Sequence, residues 1–223
     1  MARHFAYLAA LVMLAAAATA QAAIIFTADL THALEPSGTQ PLLTSTGGSR
    51  PLSSGTATFI LNDAMTALTM SATILNIDFT GSQTPDDTND NLVNAHIHAN
   101  ATITLSDTIL NPALTAPVVW GFIGMPFNDT TPTDTVVTPF TNGVGAVITS
   151  KWDAPEGQNT TLTAQLANIL GEHSYINFHT IQFTGGEIRG FLIIQQVPEP
   201  GSLALLGVGL AGLGGLALRR RKL

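Results

Sequence analysis

GTATFILNDAMTALTMSATI, residues 55–74, decides how the chain is to be read. Ala57, Phe59 and Leu61 alternate with Thr56, Thr58 and Ile60; Asn62-Asp63 supplies turn chemistry, and Leu68, Met70, Ala72 and Ile74 then resume the period of two. Side chains that change face at every residue mark a strand, so the stretch is predicted to be an antiparallel hairpin with one buried and one solvated face.

The same pattern extends in both directions. Strands are predicted over 24–30, 94–105, 118–123, 143–152, 175–183 and 187–195, separated by loops at 35–55, 81–91 and 128–139 that are rich in Pro, Ser, Thr or Asp. In NTTLTAQLANILGEHSY (159–175), by contrast, Leu162, Leu166, Ile169 and Leu170 recur at helical spacing and Gly171 is placed as a stop. This predicts one short helix packed over an end of the sheet. Many short strands and little helix make the body an all-β antiparallel sandwich or barrel. No internal repeat is apparent, so it is one copy of one domain.

Both ends of the 223-residue chain read as addresses. Residues 1–22 carry Arg3, an apolar stretch over 5–18 and small residues at Ala18, Ala20 and Ala22, the pattern of a secretory signal peptide cleaved after Ala20 or Ala22. Residues 197–223 fall into three parts: Val197-Pro198-Glu199-Pro200, an uncharged run over 201–218, and a tail at 219–223 with Arg219, Arg220, Arg221 and Lys222. A helix over 201–218 at ~1.5 Å rise covers roughly 27 Å, enough for a thin hydrocarbon layer. The basic cluster marks the cytoplasmic end, so the body, 23–196, is expected outside the inner membrane, anchored by this transmembrane helix until the segment is cut away.

Cysteine is absent, which removes disulfides, thiolate ligands and a Cys nucleophile. Between Ala23 and Pro200 the basic residues are Arg50, Lys151 and Arg189, against all 15 Asp and Glu of the chain. An acidic exported body repels phosphate backbones, so nucleic acid is not an expected partner and cations are the natural counterpart. The chain has no Gly-x-Ser-x-Gly elbow, no phosphate-cradling glycine loop and no His-Glu-x-x-His, so no catalytic residue is assigned and the body reads as non-enzymatic.

NAHIHANATITL (94–105) places His96 and His98 on even positions with Asn94, Asn100 and Thr102, while Val93, Ala95, Ile97 and Ala99 take the odd ones. Both histidines leave the same strand face with Cα atoms roughly 6.6 Å apart, close enough to converge on one divalent metal ion. A third ligand is then required. His179, in YINFHTIQFTGGEIRG (175–190), is the first candidate, with Glu187 or a loop aspartate behind it. There the alternation slips, from Ile176 and Phe178 to Ile181 and Phe183, which predicts a bulge at His179–Thr180 that re-aims a side chain. Histidines on a polar strand face also serve as hydrogen-bond partners of neighbouring Thr, Asn and carboxylates, and the sequence leaves both readings open.

Two further stretches carry charge. In TGGEIRGFLIIQ (184–195), Gly185-Gly186 makes a tight turn, Gly190 permits close backbone approach, and Glu187 and Arg189 share a face. A structural ion pair, or an Arg fork onto a carboxylate or carbonyl, is expected, with anion binding as the alternative. In GSQTPDDTNDN (81–91), Asp87, Asn89 and Asn91 follow the opening spacing of an EF-hand loop. Leu92, however, stands where that motif needs glycine, so the EF-hand is excluded. A solvated turn is expected, with weak calcium binding as the alternative.

GTATFIL (55–61), AHIHANA (95–101), YINFHT (175–180) and GGEIRGFL (185–192) together resemble the CHRD domain, named for its repeats in chordin and found singly in many bacterial secreted proteins. The resemblance runs from about 24 to 195 and implies an immunoglobulin-like sandwich or barrel, with no established activity. Its signature positions fall on His96, His98, Tyr175, Asn177, His179, Thr180, Gly186, Glu187, Arg189 and Gly190. The chain departs from the family pattern in two places: Glu35-Pro36 and a longer loop replace a proline pair, and Phe191 replaces a glutamine.

The C-terminal segment resembles the PEP-CTERM sorting signal of Gram-negative bacteria that make exopolysaccharide. Its elements here are Val197, Pro198, Glu199 and Pro200, the apolar run, and Arg219, Arg220 and Arg221. That resemblance implies cutting near Pro198–Pro200 by an exosortase, a membrane transpeptidase-like protease, and release or transfer to the cell surface or matrix. The expected function is then a binding or structural module with exopolysaccharide or another surface protein as partner. The alternative is a metal-binding protein that uses His96, His98 and His179, with redox or hydrolytic activity.

Overall fold

In the computed structural model, which describes residues 23–195, the hairpin read at 55–74 is the centre of a larger antiparallel system. The chain runs through β1 (Ile24–Thr31), a 3₁₀ turn (His32–Leu34), β2 (Ser54–Leu61), β3 (Ala67–Leu75), β4 (Leu92–Ala99), α1 (Leu105–Leu110) and β5 (Val118–Ile123). It continues through β6 (Val136–Pro139), β7 (Gly145–Asp153), α2 (Leu162–Leu170), β8 (Ser174–Thr180), β9 (Ile188–Phe191) and β10 (Ile193–Gln195). The signal peptide expected at 1–22 and the sorting segment expected at 197–223 lie outside the described residues. Among the described residues no helix is long and apolar enough to cross a membrane.

β2 and β3 pair in one unbroken register, Phe59 opposite Met70 and Leu61 opposite Leu68. Asn62 closes the turn, its side-chain oxygen accepting from the Thr66 N–H at 2.8 Å, and Met65 takes the left-handed position at φ 55°. Strand order across the sheet is β5-β4-β8-β9-β1-β2-β3-β7-β6, with β10 also paired to β1. The sheet is not flat. Trp120 of β5, from one end of that order, stacks on Trp152 of β7, near the other end, at 5.6 Å between ring centroids and 6° between planes. The sheet therefore curls around a main core that includes Phe26, Phe59, Leu61, Phe122, Ile148 and Phe178. Each of these large side chains contributes about 1.5–3 kcal/mol by leaving water. The all-β expectation holds, as one rolled sheet.

α2 forms as expected, with Thr161 as its cap: the Thr161 hydroxyl accepts from the Ala164 N–H at 3.2 Å. The left-handed residue after it is Glu172 at φ 60°, whereas Gly171 keeps a negative φ of −86°. Two elements were not expected, the edge strand β6 inside the 128–139 loop and the short helix α1.

β4 corrects the sequence reading in two ways. It ends at Ala99, not at 105, because Asn100 folds back on itself: its side-chain oxygen accepts from the Thr102 N–H, and Thr104 then caps α1 at the Asp107 N–H. The bulge expected at His179–Thr180 lies on the facing strand. Thr180 pairs with Leu92 and His179 with Asn94, so Val93 is the extra residue, and it is 42% exposed although its alternation placed it with the core.

Candidate metal centre

Register determines which side chains meet. Directly opposite residues on antiparallel strands share a face, and β4 pairs with β8 so that Asn94 faces His179, His96 faces Asn177 and His98 faces Tyr175. β8 pairs with β9 so that Asn177 faces Arg189. One face of the sheet thus carries three histidines, two asparagines, a tyrosine and an arginine, while Ala95, Ile97, Ile176, Phe178 and Ile188 lie in the core.

A polar strand face need not meet water: His96, His98 and His179 are 3%, 9% and 7% exposed. Three loops fold over it, and each supplies a backbone carbonyl to one ring. His96 Nε2 donates to the Met125 carbonyl at 3.0 Å, His98 Nδ1 to the Ala116 carbonyl at 2.7 Å, and His179 Nδ1 to the Thr184 carbonyl at 2.9 Å. A carbonyl only accepts, so each of these nitrogens holds the ring proton, and the other nitrogen of a neutral ring holds a lone pair. Those other nitrogens, Nδ1 of His96, Nε2 of His98 and Nε2 of His179, are buried and have no hydrogen-bond partner. One ring nitrogen of each histidine lies within 4.8 Å of those of the other two. Among the described residues, this trio is the metal-capable cluster whose ligand atoms converge.

The rings are neutral at physiological pH. Burial pushes the pKa of His98 down to about 3 and that of His179 to about 4, with the neighbouring histidines adding to the shift. His96 is lowered as well, by burial. Neutral imidazole is the form that ligates a metal.

The surroundings are held rigidly. Tyr175 stacks on His98 at 4.7 Å and 8°, its hydroxyl accepts from the Ala116 N–H at 3.2 Å, and the Arg189 guanidinium lies over its ring, 4.3 Å from the centroid. Arg189 donates to the Leu114 carbonyl and to Glu35 Oε2, both at 2.8 Å. Arg189, Tyr175 and His98 together pin residues 114–116 over the site. Gly121 faces His96 on β5, where a Cβ would sit 1.8 Å from the Pro126 carbonyl oxygen, so only glycine lets the loop bearing Met125 approach.

Glu187 and Arg189 are structural ion-pair residues, as read, but their partners come from loops. Glu187 accepts both arms of Arg50, at 2.8 and 2.6 Å, and the Thr180 hydroxyl at 2.5 Å; Arg189 is paired with Glu35. Gly186, at φ 125°, is where a side chain would strike the Glu35 carboxyl, and Gly190 is where one would strike the Asp29 carbonyl. Glu187 is thus committed to Arg50 and is not the ligand behind His179. Glu35 and Arg50 had not been singled out. The clue was the scarcity of base: arginines on strand faces of a body with so few cations call for buried acids as partners. The acidic loop is a solvated turn only in part, with Asp86 and Thr88 exposed. Asp87 and Asp90 are nearly buried, with Asp87 accepting from the Ser45 and Asn89 N–H groups and Asp90 from the Thr84 hydroxyl.

Residues 26–192, containing the whole of this constellation, match the family model of the CHRD domain. The chain belongs to the CHRD-domain family. Residues 196–222 match the PEP-CTERM protein-sorting motif, so the CHRD domain is followed directly by the signal for export and membrane-anchored transit to the cell surface, with processing by an exosortase. The protein is an exosortase-targeted surface protein built on one CHRD domain. Searches of curated proteins and of solved structures gave no match. The chemistry of this CHRD domain therefore rests on its own residues.

Proposed function

We propose that the CHRD domain, once displayed at the cell surface or in the surrounding polysaccharide matrix, is a non-enzymatic module that holds one first-row transition-metal ion, zinc or copper, on His96, His98 and His179. One observation carries the reading: the three rings each bring a nitrogen within 4.8 Å of the other two, and each ring has one buried nitrogen without a partner while its opposite nitrogen is latched to a backbone carbonyl. An orphaned buried polar atom costs about 1–3 kcal/mol, and one shared ion relieves all three at once. Latching of the distal nitrogen is how metal-binding histidines are generally oriented and their basicity raised. Zn–N bonds near 2.1 Å at a tetrahedral angle put nitrogens about 3.4 Å apart, so separations of up to 4.8 Å close by at most about 1.4 Å when the ion enters. Near-complete burial of the ligands favours holding an ion over turning a substrate, since catalytic metal sites keep a position open.

Elemental analysis of the mature protein, purified without a histidine tag and supplemented with each metal, will find about one equivalent of zinc or copper. Less than about a tenth of an equivalent of zinc, copper, iron or manganese overturns the reading. A separate expectation concerns delivery. Mass spectrometry of the surface form will show the chain ending near Pro198–Pro200, and retention of Arg219–Leu223 on that form counts against exosortase processing.

A further inference from the structure

Building on the metal reading above, we infer that Asn177 supplies the fourth donor through its side-chain oxygen, completing an uncharged set of three imidazole nitrogens and one amide oxygen. Four observations converge on this residue. It lies directly opposite His96 on the paired strand and two positions before His179, so it shares their face of the sheet. Directly opposite Cβ atoms lie about 4.5–5.5 Å apart, within reach of one ion for short side chains. It is 1% exposed, and its Oδ1 is buried without a hydrogen-bond partner, the same condition as the three ring nitrogens. Finally, its side chain adjoins the Glu35 carboxyl and offsets part of the rise that burial imposes on that group's pKa.

Asn94, opposite His179, also has an unpartnered Oδ1, but it sits at the bulge and is only half-buried. Asn177 is therefore the donor and Asn94 part of the rim. The set contains no carboxylate. Calcium and magnesium are hard ions that seek charged oxygen ligands, whereas nitrogen-rich neutral sets favour copper and zinc. The centre is thereby selective by chemistry as well as by geometry.

The test uses Co²⁺ and Zn²⁺ with the mature wild-type protein and with Asn177→Leu, Asn177→Asp and Asn94→Leu. Asn177→Leu weakens Zn²⁺ binding at least about tenfold and changes the visible d–d spectrum of bound Co²⁺, which reports coordination number and donor type. Asn177→Asp puts a charged oxygen in the same place and tightens Zn²⁺ binding at pH 7, and Asn94→Leu leaves affinity and spectrum as they were. Should Asn177→Leu not fold, Asn177→Asp decides, because affinity that is unchanged or weaker overturns the assignment. A wild-type protein that binds Co²⁺ with the same spectrum as Asn177→Leu rules out Asn177 as a ligand and leaves the three-histidine centre standing. A wild-type protein that binds neither ion overturns the centre itself.

Discussion

Replacing Arg189 with leucine will destabilise the metal-free domain by about 3–5 kcal/mol, because it leaves the Glu35 carboxylate buried without its counter-charge. The pair is enclosed, with Arg189 1% and Glu35 0% exposed and 2.8 Å between them. The cost is therefore the desolvation of an orphaned charge, far above that of a surface ion pair. The same change removes the donor to the Leu114 carbonyl and the cation over Tyr175, so the loop latching His98 loosens as well. For a domain of this size the expected fall in Tm is roughly 10 °C. The double variant Arg189→Leu with Glu35→Leu will regain most of the loss, since apolar side chains of similar bulk need no partner. Chemical denaturation of the wild type and the two variants checks both statements. A single-variant loss below about 1 kcal/mol, or a double variant no more stable than the single, would show that the pair does not control the packing of this face.

The second large effect is on pH dependence. In the unfolded chain His98 and His179 take up protons near pH 6.5, whereas in the folded, metal-free domain they remain neutral until about 3 and about 4 respectively. Across that window the unfolded state binds more protons, so stability is full above about pH 6.5 and falls as the pH is lowered. Each histidine contributes about 1.4 kcal/mol per pH unit, so the two together remove about 5 kcal/mol between pH 7 and 4.5. Glu35 acts in the opposite sense: burial raises its pKa, so it is protonated earlier than in the unfolded chain and returns part of the loss at the acid end. Denaturant titrations of the metal-free protein at pH 7.5 and 4.5 measure the difference, and His179→Gln should remove about half of it. Equal stability at the two pH values would mean that the rings are not buried neutral.

These two effects arise on a face that the sequence describes only in part. The hairpin over 55–74 was fully legible, because alternation of Phe59, Leu61, Met70 and Ile74 with threonines specifies both the strands and their buried side. Sharing of one face by His96 and His98 was legible for the same reason, and adding His179 to it was a sound extrapolation from an interrupted pattern. What periodicity cannot convey is whether a polar face meets water. Here it is covered by loops whose contribution to the histidines is the carbonyl of Met125, Ala116 and Thr184, a group every residue possesses, so no side-chain signal announces it. The bulge was misplaced for a related reason: a slip in one strand's alternation shows that registers must change, but not which partner takes the extra residue. At Val93 the partner did.

Trp120 and Trp152 are the chain's 2 tryptophans, and both are fully buried. Because they come from opposite ends of the strand order and stack nearly parallel, the coupling of their indole transitions exists only when the sheet has rolled shut. The fold thus contains a built-in optical gauge of its own closure. Near-ultraviolet circular dichroism can follow that closure without any label, independently of whatever occupies the histidines on the outer face.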